Sequence, residues 1–188
     1  MAPPTDVSIH PADRRGDDRR GNDRWVVMGV CGCGKSTIAA ALAHALDAPF
    51  IEGDAYHPAP NVVKMSAGIP LTDDDRTGWL QTLATEIAAA RERGDGIVVS
   101  CSALKKRYRD QLRQADPNLR FAHLAGPRGT IAARMQTRIG HYMPITLLDS
   151  QLRDLEPLQP GEAGITLDIT QPPETLVASI IASTDRTD

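Results

Sequence analysis

Residues 29–36 constrain the fold more than any other part of the sequence. They read Gly-Val-Cys-Gly-Cys-Gly-Lys-Ser and match the pattern G-x-x-x-x-G-K-[ST]. A short apolar run at 25–28 precedes them, and Ile38, Leu42 and Leu46 follow at a spacing of four residues. This order predicts a buried strand, a glycine-rich loop and an amphipathic helix, in which backbone N–H groups and the helix N-terminus hold a phosphate.

The loop predicts that the chain binds a nucleoside triphosphate. We expect Lys35 to reach the β- and γ-phosphates and to act in catalysis, and we expect the Ser36 hydroxyl to ligate Mg²⁺. The candidate nucleotide-binding residues are Gly29, Val30, Cys31, Gly32, Cys33, Gly34, Lys35, Ser36 and Thr37.

Other features favour a small-molecule kinase that uses ATP. The sequence has no N-K-x-D motif for reading guanine, and its one D-x-x-G match, at 75–78, falls at a predicted helix start. The third predicted strand ends in Ser100-Cys101-Ser102, without the acidic residue that a motor-type ATPase carries there. A chain of 188 residues also lacks room for the additional modules of a motor.

Short apolar runs alternate with helical patterns along the rest of the chain, which predicts an α/β three-layer domain with a five-stranded parallel sheet. The strands are predicted at 25–28, 49–52, 97–99, 121–124 and 165–169. The helices are predicted after the loop at 29–36, around 62–65, from 72–75 to about 93, at 105–115, from 127 to about 138, around 147–155 and at 173–183.

Composition excludes several other classes of protein. The net charge of −3 argues against binding nucleic acid through a basic surface, and no apolar stretch is long enough to span a bilayer. Three cysteines are an odd number, and no secretory signal is visible, so we expect reduced thiols and a cytoplasmic protein. Residues 1–24 are rich in Arg, Asp and Pro and are predicted to be a disordered tail before a single domain at 25–188.

Charged residues follow the second and third predicted strands. Because ligands of open α/β sheets bind beyond the carboxyl ends of the strands, these residues are candidates for the acceptor site. Asp54 offers a carboxylate that can orient or deprotonate a hydroxyl group, while Lys105 and Arg109 offer cations for an anionic substrate.

Three segments resemble the bacterial-type gluconokinases. They are Gly-Asp-Ala-Tyr-His-Pro and the residues after it up to Trp79-Leu80, Cys-Ser-Ala-Leu-Lys at 101–105, and Gly-His-Tyr-Met-Pro at 140–144 with the Ser-Gln and Leu-Glu-Pro-Leu that follow. With the phosphate loop, the resemblance covers nearly all of 25–182. It implies a fold similar to that of shikimate and nucleoside-monophosphate kinases, and transfer of the γ-phosphate of ATP to the 6-hydroxyl of D-gluconate.

The resemblance also implies roles for individual residues. Asp54 matches the acid that acts on the 6-hydroxyl. The substrate-binding segment spans about 53–80 and a mobile lid about 134–150, and the family suggests a homodimer. The implied substrate-binding residues are Asp54, His57, Lys64, Arg76, Lys105, Arg109 and His141, with Arg76 as a carboxylate clamp, and the implied lid cations that meet the transferring phosphoryl group are Arg134 and Arg138.

Two interpretations stay open beside gluconokinase. One is a kinase of another small hydroxy acid such as shikimate, because Glu52 and Asp54 resemble the paired acids of that family. The other is a regulatory protein that binds ATP without transferring phosphate. The chain also departs from the family at Cys31 and Cys33, where serine is usual, and we expect a lowered thiol pKa beside Lys35 and a helix N-terminus.

Overall fold

The computed structural model describes residues 22–137 and 145–184. In chain order, the elements are β1 (Arg24–Met28), α1 (Lys35–Leu46), β2 (Phe50–Glu52), a 3₁₀ turn (Gly53–Tyr56), α2 (Ala59–Ser66), α3 (Asp73–Arg93), β3 (Ile97–Ser100), α4 (Lys106–Ala115), β4 (Arg120–Ala125), α5 (Arg128–Thr137), α6 (Ile145–Asp154), β5 (Gly164–Asp168) and α7 (Pro173–Thr184). Every helix in these two ranges is too short or too polar to span a membrane.

The five strands form one parallel sheet in the spatial order β2-β3-β1-β4-β5, which confirms the predicted sheet. Strand β1 lies at its centre, where Val26 pairs with Val99 on one side and Phe121 on the other. The prediction placed Arg24 in the tail, but this residue begins β1 and pairs with Ile97. The central position of β1 places the loop that follows it in the middle of one edge of the sheet.

Side chains alternate across β1 and fill a separate apolar core on each face of the sheet. Trp25 and Val27 pack with α1, α5, α6 and α7 on one face, whereas Val26 and Met28 pack with α3 and α4 on the other. This is the three-layer arrangement that the alternation of strands and helices predicts.

Helix α3 begins at a capping box. The Thr72 hydroxyl accepts a hydrogen bond from Asp75 N, and the Asp75 carboxylate accepts one from Thr72 N at 2.8 Å. These bonds satisfy N–H groups that the first turn of a helix leaves unpaired. Leu83 and Ile87 of the same helix are fully buried, as their spacing predicts. The start of α3 is therefore held at a defined place beside the carboxyl edge of the sheet.

A buried histidine lies on β4. His123 is 3% exposed, and neither ring nitrogen has a hydrogen-bond partner among the described residues. Burial, and secondly the positive charge of Arg109, lower the pKa of His123 below its ordinary value of 6.5. The folded protein therefore holds this ring neutral.

We expect the free energy of unfolding to decrease as the pH falls below about 6.5, because the unfolded chain binds a proton at His123 that the folded protein excludes. One such histidine gives a slope of at most about 1.4 kcal/mol per pH unit. Urea unfolding between about pH 5 and 8 measures this slope. His123→Leu should reduce it, with a residual slope from His57, whose pKa burial also lowers.

The matched control is His44→Asn, because His44 lies exposed on α1. This variant should keep the full slope. An unchanged slope in His123→Leu would contradict the assignment.

Candidate active site

The phosphate loop lies at the carboxyl end of β1 and has a backbone that requires glycine. Gly29, Gly32 and Gly34 have φ angles of 141°, 78° and 102°, which favour glycine. A Cβ atom at Gly29 would lie 2.8 Å from the carbonyl oxygen of Leu124, and one at Gly32 would overlap the Met135 side chain. The loop is thus a cradle of bare backbone at the N-terminus of α1, which fits a polyphosphate group.

Two cations lie on this loop. Lys35 Nζ donates a hydrogen bond to the Val30 carbonyl at 3.1 Å. Arg134 on α5 donates to the carbonyl of Ile169 at 2.7 Å and to that of Cys33 at 3.4 Å, so it bridges the loop to the end of β5. Burial opposes the charged form of Lys35, but Asp54 and the thiols, when these are ionised at high pH, favour it, and the net pKa of Lys35 is raised.

The residues present also suit a magnesium ion held through phosphate oxygens. The described ranges contain no group of three or more His, Cys, Asp or Glu side chains that could hold a metal ion. Mg²⁺ commonly keeps several waters and takes one or two protein ligands together with phosphate oxygens. Ser36 in the first turn of α1 is the predicted protein ligand of this kind.

Asp54 lies two residues after the end of β2. It belongs to the 3₁₀ turn Gly53–Tyr56, where its side chain is 55% exposed. A Cβ at Gly53 would overlap the Ser100 carbonyl, and the Gly53 carbonyl accepts a hydrogen bond from Trp79 Nε1 at 2.7 Å. Contacts with β3 and α3 therefore fix the turn while the Asp54 carboxylate faces solvent.

His57 lies behind Asp54. Its Nε2 is 4.0 Å from Asp54 Oδ1, and its ring stacks on Trp79 with 4.1 Å between the ring centroids. Its Nδ1 lies 3.4 Å from the side-chain nitrogen of Asn61. Burial lowers the pKa of His57, although Asp54 opposes this shift. The ring is thus a neutral, packed neighbour of the predicted catalytic acid.

Five residues form a hydrogen-bonded group between the start of α3 and the start of α4, and we call it the Asp73 cluster: Asp73, Arg76, Lys105, Arg107 and Tyr108. The Asp73 carboxylate accepts hydrogen bonds from Tyr108 and Lys105 and pairs with Arg107, and Arg76 Nη1 donates to the Tyr108 hydroxyl at 3.2 Å. The hydrogen bond from Tyr108, followed by those from the two cations, holds the pKa of Asp73 well below its usual range. The cluster thus brings together Arg76 and Lys105, two of the predicted substrate-binding cations.

Lys64 is paired at the same end of α3. Its Nζ donates to both carboxylate oxygens of Asp75, at 2.7 and 2.9 Å. These bonds, with those from Thr72, lower the pKa of Asp75 to about 2. Lys64 therefore links α2 to the capping box of α3.

The structure contradicts the prediction that Arg109 binds substrate. Arg109 is fully buried, and it donates two hydrogen bonds to Glu162, at 2.8 and 2.7 Å. It also donates to backbone carbonyls of Ala103 and Glu156. Burial alone would raise the pKa of Glu162, but the bonds from Arg109 and Arg113 outweigh it and lower that pKa to about 2. The N–H donors of Arg109 bind groups within the protein, so the charge that we had expected to bind substrate stabilises the fold instead.

The expected lowering of the thiol pKa in the loop is also wrong. Cys31 and Cys33 are buried, and burial is the largest influence on both. It raises the pKa of Cys31 to about 11 in spite of the opposing charge of Lys35, and it raises that of Cys33. The thiols of the loop are therefore protonated near neutral pH.

Two predicted site residues, Arg138 and His141, lie outside the described residues. Conversely, the structure brings three residues into the site for which the sequence analysis named no role. Asp73 and Tyr108 organise the predicted cations, and Gln151 reaches the phosphate loop from α6. Asp73 belongs to a run of three aspartates, and acidic residues in the first turn are typical of any helix, so nothing in the sequence indicated a role in the site.

Replacing Arg109 should destabilise the fold. We expect Arg109→Met to lower the free energy of unfolding by about 3–5 kcal/mol, because it leaves the buried Glu162 carboxylate short of a partner. Urea unfolding monitored by circular dichroism measures the loss.

Lys106→Met is the control, because Lys106 forms an exposed pair with Asp110 on the same helix and should cost less than about 1 kcal/mol. Equal losses of unfolding free energy in the two variants would show that Arg109 contributes no more to stability than an exposed ion pair.

Comparison with known proteins agrees with this geometry over most of the chain. A family model described as shikimate kinase matches residues 31–155. The thermoresistant gluconokinase of Escherichia coli is 43% identical over 158 residues, which are 84% of this chain and 90% of that protein.

Two solved structures are similar over nearly their whole length. A sugar kinase from Janibacter sp. superimposes with a TM-score of 0.84 at 46% identity and covers 88% of this chain and 96% of its own. A gluconokinase from Sinorhizobium meliloti has a TM-score of 0.81 at 46% identity, with coverages of 89% and 94%. With its phosphate loop, its acidic turn after β2 and these relatives, the chain belongs to the gluconokinases within the shikimate kinase family.

Proposed function

We propose that this chain transfers the γ-phosphate of ATP to the 6-hydroxyl of D-gluconate, giving 6-phospho-D-gluconate and ADP. The observation that supports this most is that the turn bearing Asp54 and the phosphate loop with Lys35 follow β2 and β1, two parallel strands of the same sheet. A carboxylate that can receive a hydroxyl proton and a cation that can meet phosphates then lie at the same edge of the sheet, after the two strands that flank β3. The relatives named gluconokinase supply the identity of the acceptor.

The phosphate loop would hold the triphosphate by its backbone N–H groups and the N-terminus of α1. Lys35 would leave the Val30 carbonyl and neutralise charge on the transferred phosphoryl group. Ser36 would hold Mg²⁺, which supplies further positive charge to the phosphate oxygens when bound. Asp54 would orient the acceptor hydroxyl and take its proton.

The Asp73 cluster would bind the carboxylate of gluconate. The cluster contains three cations but only one carboxylate, since Lys105 and Arg107 contact Asp73 and Arg76 contacts Tyr108, so the cluster can accept a second, monovalent anion. Arg76, with its planar guanidinium group, and Lys105 are the proposed ligands. His57 and Lys64 would complete this side of the site, where they also pack against α3.

The remaining features of the proposal rest on the resemblance to the family. Arg134 would meet the transferring phosphoryl group together with Arg138, and His141 would contact substrate from a lid at about 134–150. We further propose a single kinase domain at 25–188 that works as a homodimer in the cytoplasm. The last point is supported by three unpaired thiols, Cys31, Cys33 and Cys101, which suit a reducing compartment.

The shikimate-like alternative requires Glu52 to act with Asp54 as a pair of acids. The Glu52 carboxylate instead accepts a hydrogen bond from the Ser100 hydroxyl, which in turn lies 3.3 Å from Gly53 N. Glu52 therefore holds the end of β2 against β3. This arrangement leaves Asp54 as the acid of the turn and favours gluconate over shikimate.

A substrate panel tests the proposal directly. ADP release from Mg-ATP should be seen with gluconate and should be absent with shikimate, glycerate, glucuronate and uncharged glucose. Turnover with another acid alone would overturn the acceptor and keep the kinase chemistry. No turnover with any of them, with nucleotide still bound, would favour the regulatory alternative.

Asp54→Asn tests the proposed base. We expect kcat to fall by about 10²–10⁴-fold, because the amide cannot take the hydroxyl proton, while the affinity for ATP stays the same. Stopped assays of phosphogluconate formation and calorimetry with ATP give the two values. Asp95→Asn is the control, since Asp95 pairs with Arg93 on the surface, and it should keep full activity. Full activity in Asp54→Asn would refute the proposed role of Asp54 as the base.

A further inference from the structure

One peptide group of the phosphate loop is held from both sides. Its carbonyl, on Val30, accepts a hydrogen bond from Lys35 Nζ at 3.1 Å, and its N–H, on Cys31, donates to Gln151 Oε1 at 2.6 Å. The C=O and N–H of a trans peptide point in opposite directions, and the described chain has no cis bond. The two side chains therefore fix the orientation of this peptide plane together.

Gln151 reaches the loop from a helix that is itself well anchored. Leu147 and Leu148 of α6 are buried in the apolar core. Asp149 accepts two hydrogen bonds from Arg128 at the start of α5, at 2.6 and 3.0 Å. Because Cys31 N is a donor, the atom of the Gln151 amide that faces it must be the oxygen. The acceptor is thus delivered to the loop from a helix that packs into the core and pairs with α5.

The two contacts are not equivalent once nucleotide binds. In the proposed function, Lys35 moves to the phosphates, and among the described residues the Val30 carbonyl then keeps a long contact from Cys33 N, at 3.4 Å. Gly29 precedes this peptide and Gly32 follows it, and glycine offers little resistance to rotation. The bond from Cys31 N–H to Gln151 is then the principal restraint on the peptide at the time when the loop must hold phosphate.

We propose that Gln151 is a positioning residue that holds the Val30–Cys31 peptide in its phosphate-binding orientation and thereby raises the affinity of the loop for nucleotide. The inference rests on the proposed nucleotide-binding role of the loop. It does not depend on which acceptor is phosphorylated. It assigns to α6 a contribution to the nucleotide site, whereas the proposed acceptor site lies around α3 and α4.

The test compares Gln151→Met with Gln151→Glu. Methionine has a similar length but no strong acceptor, whereas glutamate keeps the acceptor and its reach. Calorimetry with Mg-ADP and with a non-hydrolysable Mg-ATP analogue should show a loss of about three- to tenfold in affinity for Gln151→Met, the usual worth of one hydrogen bond. KM for ATP should rise by a similar factor, and KM for gluconate should stay the same.

Amide hydrogen exchange at Cys31 separates positioning from general destabilisation. The Cys31 N–H should exchange faster in Gln151→Met than in the wild type, and it should remain protected in Gln151→Glu. Gln114→Met is the matched control, because Gln114 lies exposed on α4 and should change neither exchange nor affinity.

Wild-type nucleotide affinity and unchanged Cys31 exchange in Gln151→Met would overturn the proposal. If that variant does not fold, Gln151→Asn replaces it, since its amide falls one methylene short of Cys31 N, and wild-type affinity there would overturn the proposal equally. Because binding is measured with nucleotide alone, an enzyme that binds nucleotide but does not phosphorylate gluconate would refute the proposed function only.

Discussion

At two positions just after a strand, the backbone passes so close to the backbone of a neighbouring strand that no side chain fits between them. At Gly29, after β1, a Cβ would press on the carbonyl of Leu124, and at Gly53, after β2, it would overlap the carbonyl of Ser100. These approaches seat the phosphate loop and the turn bearing Asp54 against the carboxyl edge of the sheet. The proposed base and the phosphate cradle share this edge because the strands are parallel and their ends coincide. A bulkier residue at either position would displace one of the two halves of the site.

The charged side chains around the start of α3 are paired with one another before a ligand binds. Asp73 holds Lys105, Arg107 and Tyr108 in place, and Asp75 holds Lys64. Preorganised cations lose little side-chain entropy when an anion binds, which favours recognition of a small, flexible acid. A cation therefore has a binding role only if its present partners leave donors for a ligand. The fully buried Arg109 fails this criterion, since its bonds go to Glu162 and to backbone carbonyls.

The features that could be predicted from the sequence are those with a local cause. The strand at 97–99 is an unbroken β-branched run, and it lies fully buried between two neighbours. The helix cap at Thr72 and the apolar stripe of α1 both follow from the spacing of residues within one or two helical turns. The phosphate loop is a continuous segment, so its pattern is visible without knowledge of the fold.

The features that could not be predicted depend on partners distant in sequence. Arg109 resembles any cation after a strand until Glu162 is known to lie beside it, 53 residues later. The thiol pKa of Cys31 depends on burial, and its motif places it only beside a lysine and a helix N-terminus, both of which would lower the value. Gln151 is 120 residues from the amide that it contacts, and nothing in the sequence around it indicates that contact.

The separation between Arg109 and Glu162 has a consequence for the kinetics of folding. The 53 residues that this contact spans include β4, α5 and α6. Closing so long a segment costs chain entropy before the ion pair can return any free energy, which disfavours its formation early in folding. Interactions made after the transition state slow unfolding more than they speed folding. An ion pair that forms after the transition state in this way would slow unfolding and so lengthen the lifetime of the native enzyme.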